Sequence, residues 1–153
     1  MSPRVGIGYD SHRFAAGRRL VLGGVEIPHE LGLQGHSDAD VVAHAITDAV
    51  LGAAGLGDIG QHFPPSEARW RDADSIELLR TAVAMVPGWV ANVDATVVCE
   101  RPRLGEHRLE MERALGDAVG APVSVKATTN EGMGWIGRGE GIACIAVALV
   151  ELE

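Results

Sequence analysis

The sequence predicts an α/β fold, an α+β two-layer sandwich. In it a mixed sheet of about four long strands carries helices on one face, with a small β-hairpin beside it. Segments of apolar period two alternate with segments of period 3.6 along the chain, and no repeat, low-complexity tract or linker divides the 153 residues. At this length, 46% hydrophobic residues are enough to bury one core, so residues 1–153 are read as a single domain.

Arg4 to Tyr9 reads as a first strand, weakened by Gly6 and Gly8, and Leu20 to Ile27 as a hairpin turning at Gly23-Gly24. From Asp38 the period changes: Val42, Ala45, Ile46, Ala49, Val50 and Ala53 line one face of a helix that Ser37 or Asp38 can cap, ending near Gly55 and Gly57. A loop rich in Gly and Pro runs to about Arg71. A second helix starts at Asp74-Ser75, buries Ile76, Leu79, Ala82, Val83 and Val86, and stops at Pro87-Gly88. Trp89 to Cys99 is strand-like, with Val93, Ala95, Val97 and Cys99 on one face. A third helix covers about Glu106 to Val119, and Val123 to Thr129 and Ile142 to Leu152 complete the strands.

Thirteen Lys and Arg against 21 Asp and Glu give a net charge of −8, which repels nucleic-acid phosphates and anionic membranes. Neither partner is expected. Cys99 and Cys144 sit in apolar runs without metal or redox spacing, and read as buried thiols in a reducing cytosol. The N-terminus lacks a signal-peptide pattern and no 18-residue apolar stretch occurs, so a cytoplasmic protein is expected.

Chemistry concentrates in four places. In GYDSHRF, Asp10 and His12 lie two apart and project to one face of an extended chain. His44 lies in the first helix with Asp40 and Asp48 one turn to either side. Two histidines and an aspartate suit a catalytic zinc with an open fourth position; a turn cap at Asp10 and a hydrogen-bonded helix histidine are the bland alternative. In HSDAD, helix capping accounts for Ser37 and Asp38 but leaves His36 unexplained, and a helix N-terminus also attracts phosphate. GLGDIG matches a dinucleotide fingerprint only by spelling, because a helix precedes it and a Gly/Pro loop follows; Asp58 fits a turn. KATTNEGMGWIGRGEG leaves a strand with Thr128 and Thr129, then Glu131, then five glycines with Arg138 among them. Hydroxyls, open backbone N–H groups, a guanidinium and a carboxylate able to hold Mg²⁺ together favour a phosphate site over an idle loop.

These motifs, in this order and nearly end to end, resemble the 2-C-methyl-D-erythritol 2,4-cyclodiphosphate synthase family, the cyclising enzymes of the non-mevalonate isoprenoid pathway. The resemblance rests on GYDSH, GGVEIP, HSDADVVAHAITDAVLGAAGLGDIGQHFP, ADSIELL, NVDATVV and KATTNEGMGWIGRGEGIACIAVAL. It implies a lyase that takes a cytidine diphosphate substrate, closes a cyclic diphosphate and expels CMP. It also implies a homotrimer with sites between subunits, Zn²⁺ on Asp10, His12 and His44, and Mg²⁺ or Mn²⁺ on Glu131. His36 and Thr129 become the catalytic residues, and Ser37 lies with His36 at the reacting diphosphate. Asp58, Ile59, Gly60 and Phe63 line the methylerythritol pocket. Pro102, Arg103 and Leu104 fall at the cytosine pocket and Thr128 at the nucleotide; Arg138, in the Gly-rich turn, contacts phosphate or lines the central channel, and Trp135, also counted as substrate-binding, is the ring near that channel. Pro65 stands where the family commonly has aspartate, with Glu67 nearby as a replacement carboxylate; Glu100, Arg101 and Gly105 also depart from the family pattern.

Two rival classes stand beside this reading: a zinc-dependent phosphohydrolase of a nucleotide diphosphate, and a non-catalytic trimeric binding module. The apolar strand Ile142 to Val150 suits packing about a threefold axis or the middle of a core equally well.

Overall fold

The computed structural model describes residues 1–153. Strand β1 runs Ser2–Ala15, and the short strands β2 (Leu20–Leu22) and β3 (Val25–Ile27) form the hairpin, followed by β4 (Gly32–Leu33). Helix α1 (Val41–Ala53), the one-turn α2 (Ile59–His62) and α3 (Ser75–Met85) precede β5 (Gly88–Val98). Helix α4 (Arg108–Val119), β6 (Val123–Thr128), the one-turn α5 (Gly134–Gly137) and β7 (Gly141–Leu152) complete the chain. The main sheet has five strands in the order β4-β1-β7-β5-β6, one more than the expected four, because the two residues of β4 pair with Phe14 and Ala15. Pairing is antiparallel except between β5 and β6.

Strand β1 therefore extends six residues past its expected end at Tyr9. Asp10 and His12 do not leave the strand; they lie in it, opposite Cys144 and Ile142 of β7. The glycines that weaken an isolated strand are here the places where α1 rests on β1. On α1 ten of thirteen residues are buried, including all six of the predicted stripe, which makes it the central helix of the core. Burial of each Val or Ile contributes roughly 1.5–3 kcal/mol. His44 and Asp48 are the two polar side chains of α1 left half-buried.

The cap of α1 is Asp40, not Ser37 or Asp38. Its carboxylate, fully buried, accepts N–H groups from Val42 and Ala43 and from Gly23 and Gly24 in the hairpin turn. Helix α3 buries Leu78, Leu79 and Ala82, rotated from the expected stripe so that Ile76 and Val83 are only half-buried. The helices leave the opposite face of the sheet bare: Val5, Ile7, Tyr9, Ile145 and Val147 are exposed there, adjacent in register.

Candidate metal centre

Asp10 and His12 of β1 meet His44, which α1 projects one turn past its cap. The Asp10 Oδ2 lies 2.8 Å from His12 Nε2 and 3.1 Å from His44 Nδ1. The three ligand atoms fall within 4.8 Å of one another. His12 Nδ1 donates to the Gln34 carbonyl at 2.8 Å, because a carbonyl can only accept. The buried Nε2 of the same ring, on which no hydrogen-bond donor converges, lies against the Asp10 carboxylate. Two imidazole nitrogens and a carboxylate oxygen brought together in this way fit a divalent metal.

Burial alone would push the Asp10 carboxyl up, yet hydrogen bonds and charge from His12 and His44 hold it down at about 2. Burial would likewise lower His44, but the hydrogen bond and charge of Asp10 raise it. On its other side, His44 Nε2 lies 2.7 Å from Ser75 Oγ and 3.1 Å from Ser37 Oγ. Asp48 accepts the Ile59 N–H at 2.9 Å and ties α2 to α1; burial raises its carboxyl.

His12, His36, Ser37, His44, Ile59, Gly60 and Phe63 share a cleft of about 270 Å³ with Pro65, Trp70 and Leu78. Phe63 and Trp70 meet edge to face at 5.0 Å. Two expected members stand aside. Asp58 caps α2 through the Gln61 N–H and does not line the cleft, and the Glu67 carboxylate pairs with Arg69 at 2.6 Å. Only the Glu67 carbonyl approaches, 3.2 Å from His36 Nε2. Arg18, which carries no sequence motif, holds the loop by donating to the Gly35 and Ser37 carbonyls at 2.9 and 2.6 Å.

A second cleft of about 400 Å³ gathers Pro102, Arg103, Leu104, Thr128 and Thr129, with Glu100, Arg108, Met111 and Lys126. Arg108 and Met111 were not legible as lining residues, since their α4 positions look like any amphipathic surface. Glu131 is exposed in a left-handed turn (φ 54°) beside it, its N–H donated to Thr129 Oγ1. Trp135 lines a third hollow with His12, and Arg138 pairs with Glu140 at 2.7 Å. Within one chain, His12 and His44 of the metal cluster line one cleft and Thr128 and Thr129 another.

The YgbB family pattern matches residues 3–151. The chain belongs to the YgbB family. Its relatives include 2-C-methyl-D-erythritol 2,4-cyclodiphosphate synthase of Rubrobacter xylanophilus, 61% identical over 97% of this chain and 94% of that protein. Among solved structures, the bifunctional IspDF of Campylobacter jejuni superposes with a TM-score of 0.94 at 38% identity, over 99% of this chain and 43% of that one. A CDP-bound 2C-methyl-D-erythritol-2,4-cyclodiphosphate synthase superposes at 0.88 and 36% identity, over 97% of this chain and all of that one. The synthase class expected from the motifs is the one these YgbB relatives carry. The chain is thus an enzyme of isoprenoid biosynthesis that forms a cyclic diphosphate. No helix is long and apolar enough to cross a membrane.

Proposed function

We propose that this chain converts 4-diphosphocytidyl-2-C-methyl-D-erythritol 2-phosphate to 2-C-methyl-D-erythritol 2,4-cyclodiphosphate with release of CMP, in the cytoplasm and as a homotrimer. The observation that carries the reading is the convergence of Asp10, His12 and His44 at a cleft that also holds His36, Ser37 and the Ile59-Gly60 turn. A 2-phosphate oxygen forms a bond to the β-phosphorus as the bond from that phosphorus to the α–β bridging oxygen breaks. CMP leaves with the bridging oxygen and its electron pair, and no water is consumed.

Nucleophile and electrophile are both anionic, so the site must neutralise charge and hold two chain ends together. Asp10, His12 and His44 would hold Zn²⁺ and Glu131 would hold Mg²⁺ or Mn²⁺, and these ions would supply positive charge to the reacting diphosphate. His36 and Thr129 donate hydrogen bonds to the diphosphate as charge shifts during transfer, and Ser37 lies beside His36 at the same group. Ile59, Gly60 and Phe63 hold the methylerythritol, with Asp58 and Glu67 at the rim of that pocket. The cleft of Pro102, Arg103, Leu104 and Thr128 takes the cytidine, in keeping with the CDP-bound relative. Arg138 contacts phosphate or lines the channel, with Trp135 near the channel.

Two features support the trimer. The metal cluster and the cytidine cleft are separate in one chain, and Val5 and Ile7, each 70% exposed, head a bare apolar stripe that water does not favour. The test is mass spectrometry of the product made from purified substrate with Zn²⁺ and Mg²⁺. Cyclisation gives CMP and a product free of added water. An acyclic product heavier by one water would make the chain a phosphohydrolase, and absence of turnover would make it a binding module.

A further inference from the structure

The reading of Asp10, His12 and His44 as a metal centre leaves open what decides which nitrogen of His44 faces the metal. Ser75, fully buried at the start of α3, sits between His44 and Asp38. Its Oγ donates a short hydrogen bond to the Asp38 carboxylate, which also accepts the Ser75 N–H at 3.0 Å and the Asp40 N–H at 3.1 Å. A hydroxyl has one proton, and an ionised carboxylate can only accept. The Ser75 proton is therefore committed to Asp38, and what the hydroxyl offers His44 Nε2, 2.7 Å away, is a lone pair. Nε2 must carry the ring proton. In the neutral ring the lone pair is then on Nδ1, the nitrogen on the Asp10 side, 3.1 Å from Oδ2.

We infer that Asp38 and Ser75 are a positioning pair for the metal centre: together they hold His44 as the Nε2–H tautomer and aim its Nδ1 lone pair at the cation. Neither residue lines the cleft at the metal cluster. Ser37 Oγ, which also accepts the Ala39 N–H, lies farther from the same nitrogen, at 3.1 Å. Partners of this kind, one bond removed from the metal, typically change metal affinity by about 10- to 100-fold.

The test is chelator-competition titration of Zn²⁺ into wild type, Ser75→Ala, Asp38→Asn and the double variant, with circular dichroism to confirm the fold. The expected result is that Ser75→Ala weakens Zn²⁺ binding by about 10- to 100-fold, and that the double variant is no weaker than the poorer single one, since both cut one chain of bonds. Ring ¹⁵N NMR of the zinc-loaded wild type needs no variant, and should show His44 protonated at Nε2 and metal-bound at Nδ1. Zinc on Nε2 would overturn the inference, as would a folded Ser75→Ala protein that binds Zn²⁺ within about twofold of wild type. A wild-type protein that takes up no Zn²⁺ would instead remove the metal centre, and the positioning pair with it.

Discussion

Gly8 lies so close to Ala45 that a Cβ at position 8 would come within 1.9 Å of the Ala45 carbonyl oxygen; the same holds for Gly6 against Ala49, at 2.0 Å. The two glycines let α1 lie directly on β1, which sets His44 beside Asp10. Gly8→Ala must push the helix backbone away, because the atom it meets is not the end of a flexible side chain. A loss of about 3 kcal/mol is expected, at the upper end for overpacking. Zinc binding should fall with it. Urea denaturation and metal titration check both, and a Gly8→Ala protein with wild-type stability would contradict the contact.

That contact also shows what was legible in the sequence. The stripe on α1 and the shared face of Asp10 and His12 follow from local period alone, and both hold. The end of β1 is not legible, because the glycines look like strand breakers when their partner, a helix some 40 residues on, is out of sight. The cap of α1 is hidden for a similar reason. Asp38 is taken by Ser75, 37 residues away, and Ser37 by His44, so capping falls to Asp40. Ser75 itself looked like an ordinary first-turn serine. Its role depends on two partners that only the fold brings together.

Asp40 joins two elements through one carboxylate, the N-terminus of α1 and the glycine turn of the hairpin. Asp40→Ala removes the cap, worth ~1 kcal/mol, and leaves the Gly23 and Gly24 N–H groups without acceptors, Gly23 in a buried setting. A combined loss of about 3 kcal/mol is expected in urea denaturation. A change below about 1 kcal/mol would mean that solvent satisfies the turn.

Asp10 and His44 give the metal-free chain a defined pH window. The Asp10 carboxyl falls from 3.8 to about 2 on folding, so its contribution is present above 3.8 and is lost as pH drops toward 2. At ~1.4 kcal/mol per pKa unit it amounts to about 2 kcal/mol. His44 is raised above 6.5, so its contribution is present below 6.5 and is lost as pH rises through the raised value. The stability difference between chelator-treated wild type and Asp10→Asn should therefore peak between pH 4 and 6.5 and shrink on both sides. A difference that does not vary with pH would show that the pair does not form without metal.

Ile7 stands opposite Val147 on the bare face of the sheet, with Val5 and Tyr9 to either side. If this stripe packs between subunits, Ile7→Glu buries an unpaired carboxylate three times in each trimer, and sedimentation should show monomers where the wild type sediments as a trimer. In a monomer the same change touches only water and costs nothing. An unchanged trimer would place the interface elsewhere.

The separation of the two clefts makes the strongest demand on the assembly. His44 borders one and Thr129 the other, and in a single chain no cleft includes both. If catalysis needs both, and the missing half comes from a neighbouring subunit, then His44→Ala and Thr129→Ala should each abolish turnover alone and restore it when mixed. In randomly mixed trimers a site is intact only where its metal half comes from the Thr129→Ala chain and its cytidine half from the His44→Ala chain. That occurs at about a quarter of sites, so roughly a quarter of wild-type activity should return after the subunits are dissociated and reassembled together. No return of activity, with mixed trimers confirmed by native mass spectrometry, would place both halves of the site within one chain and require that chain to close the gap between its own clefts.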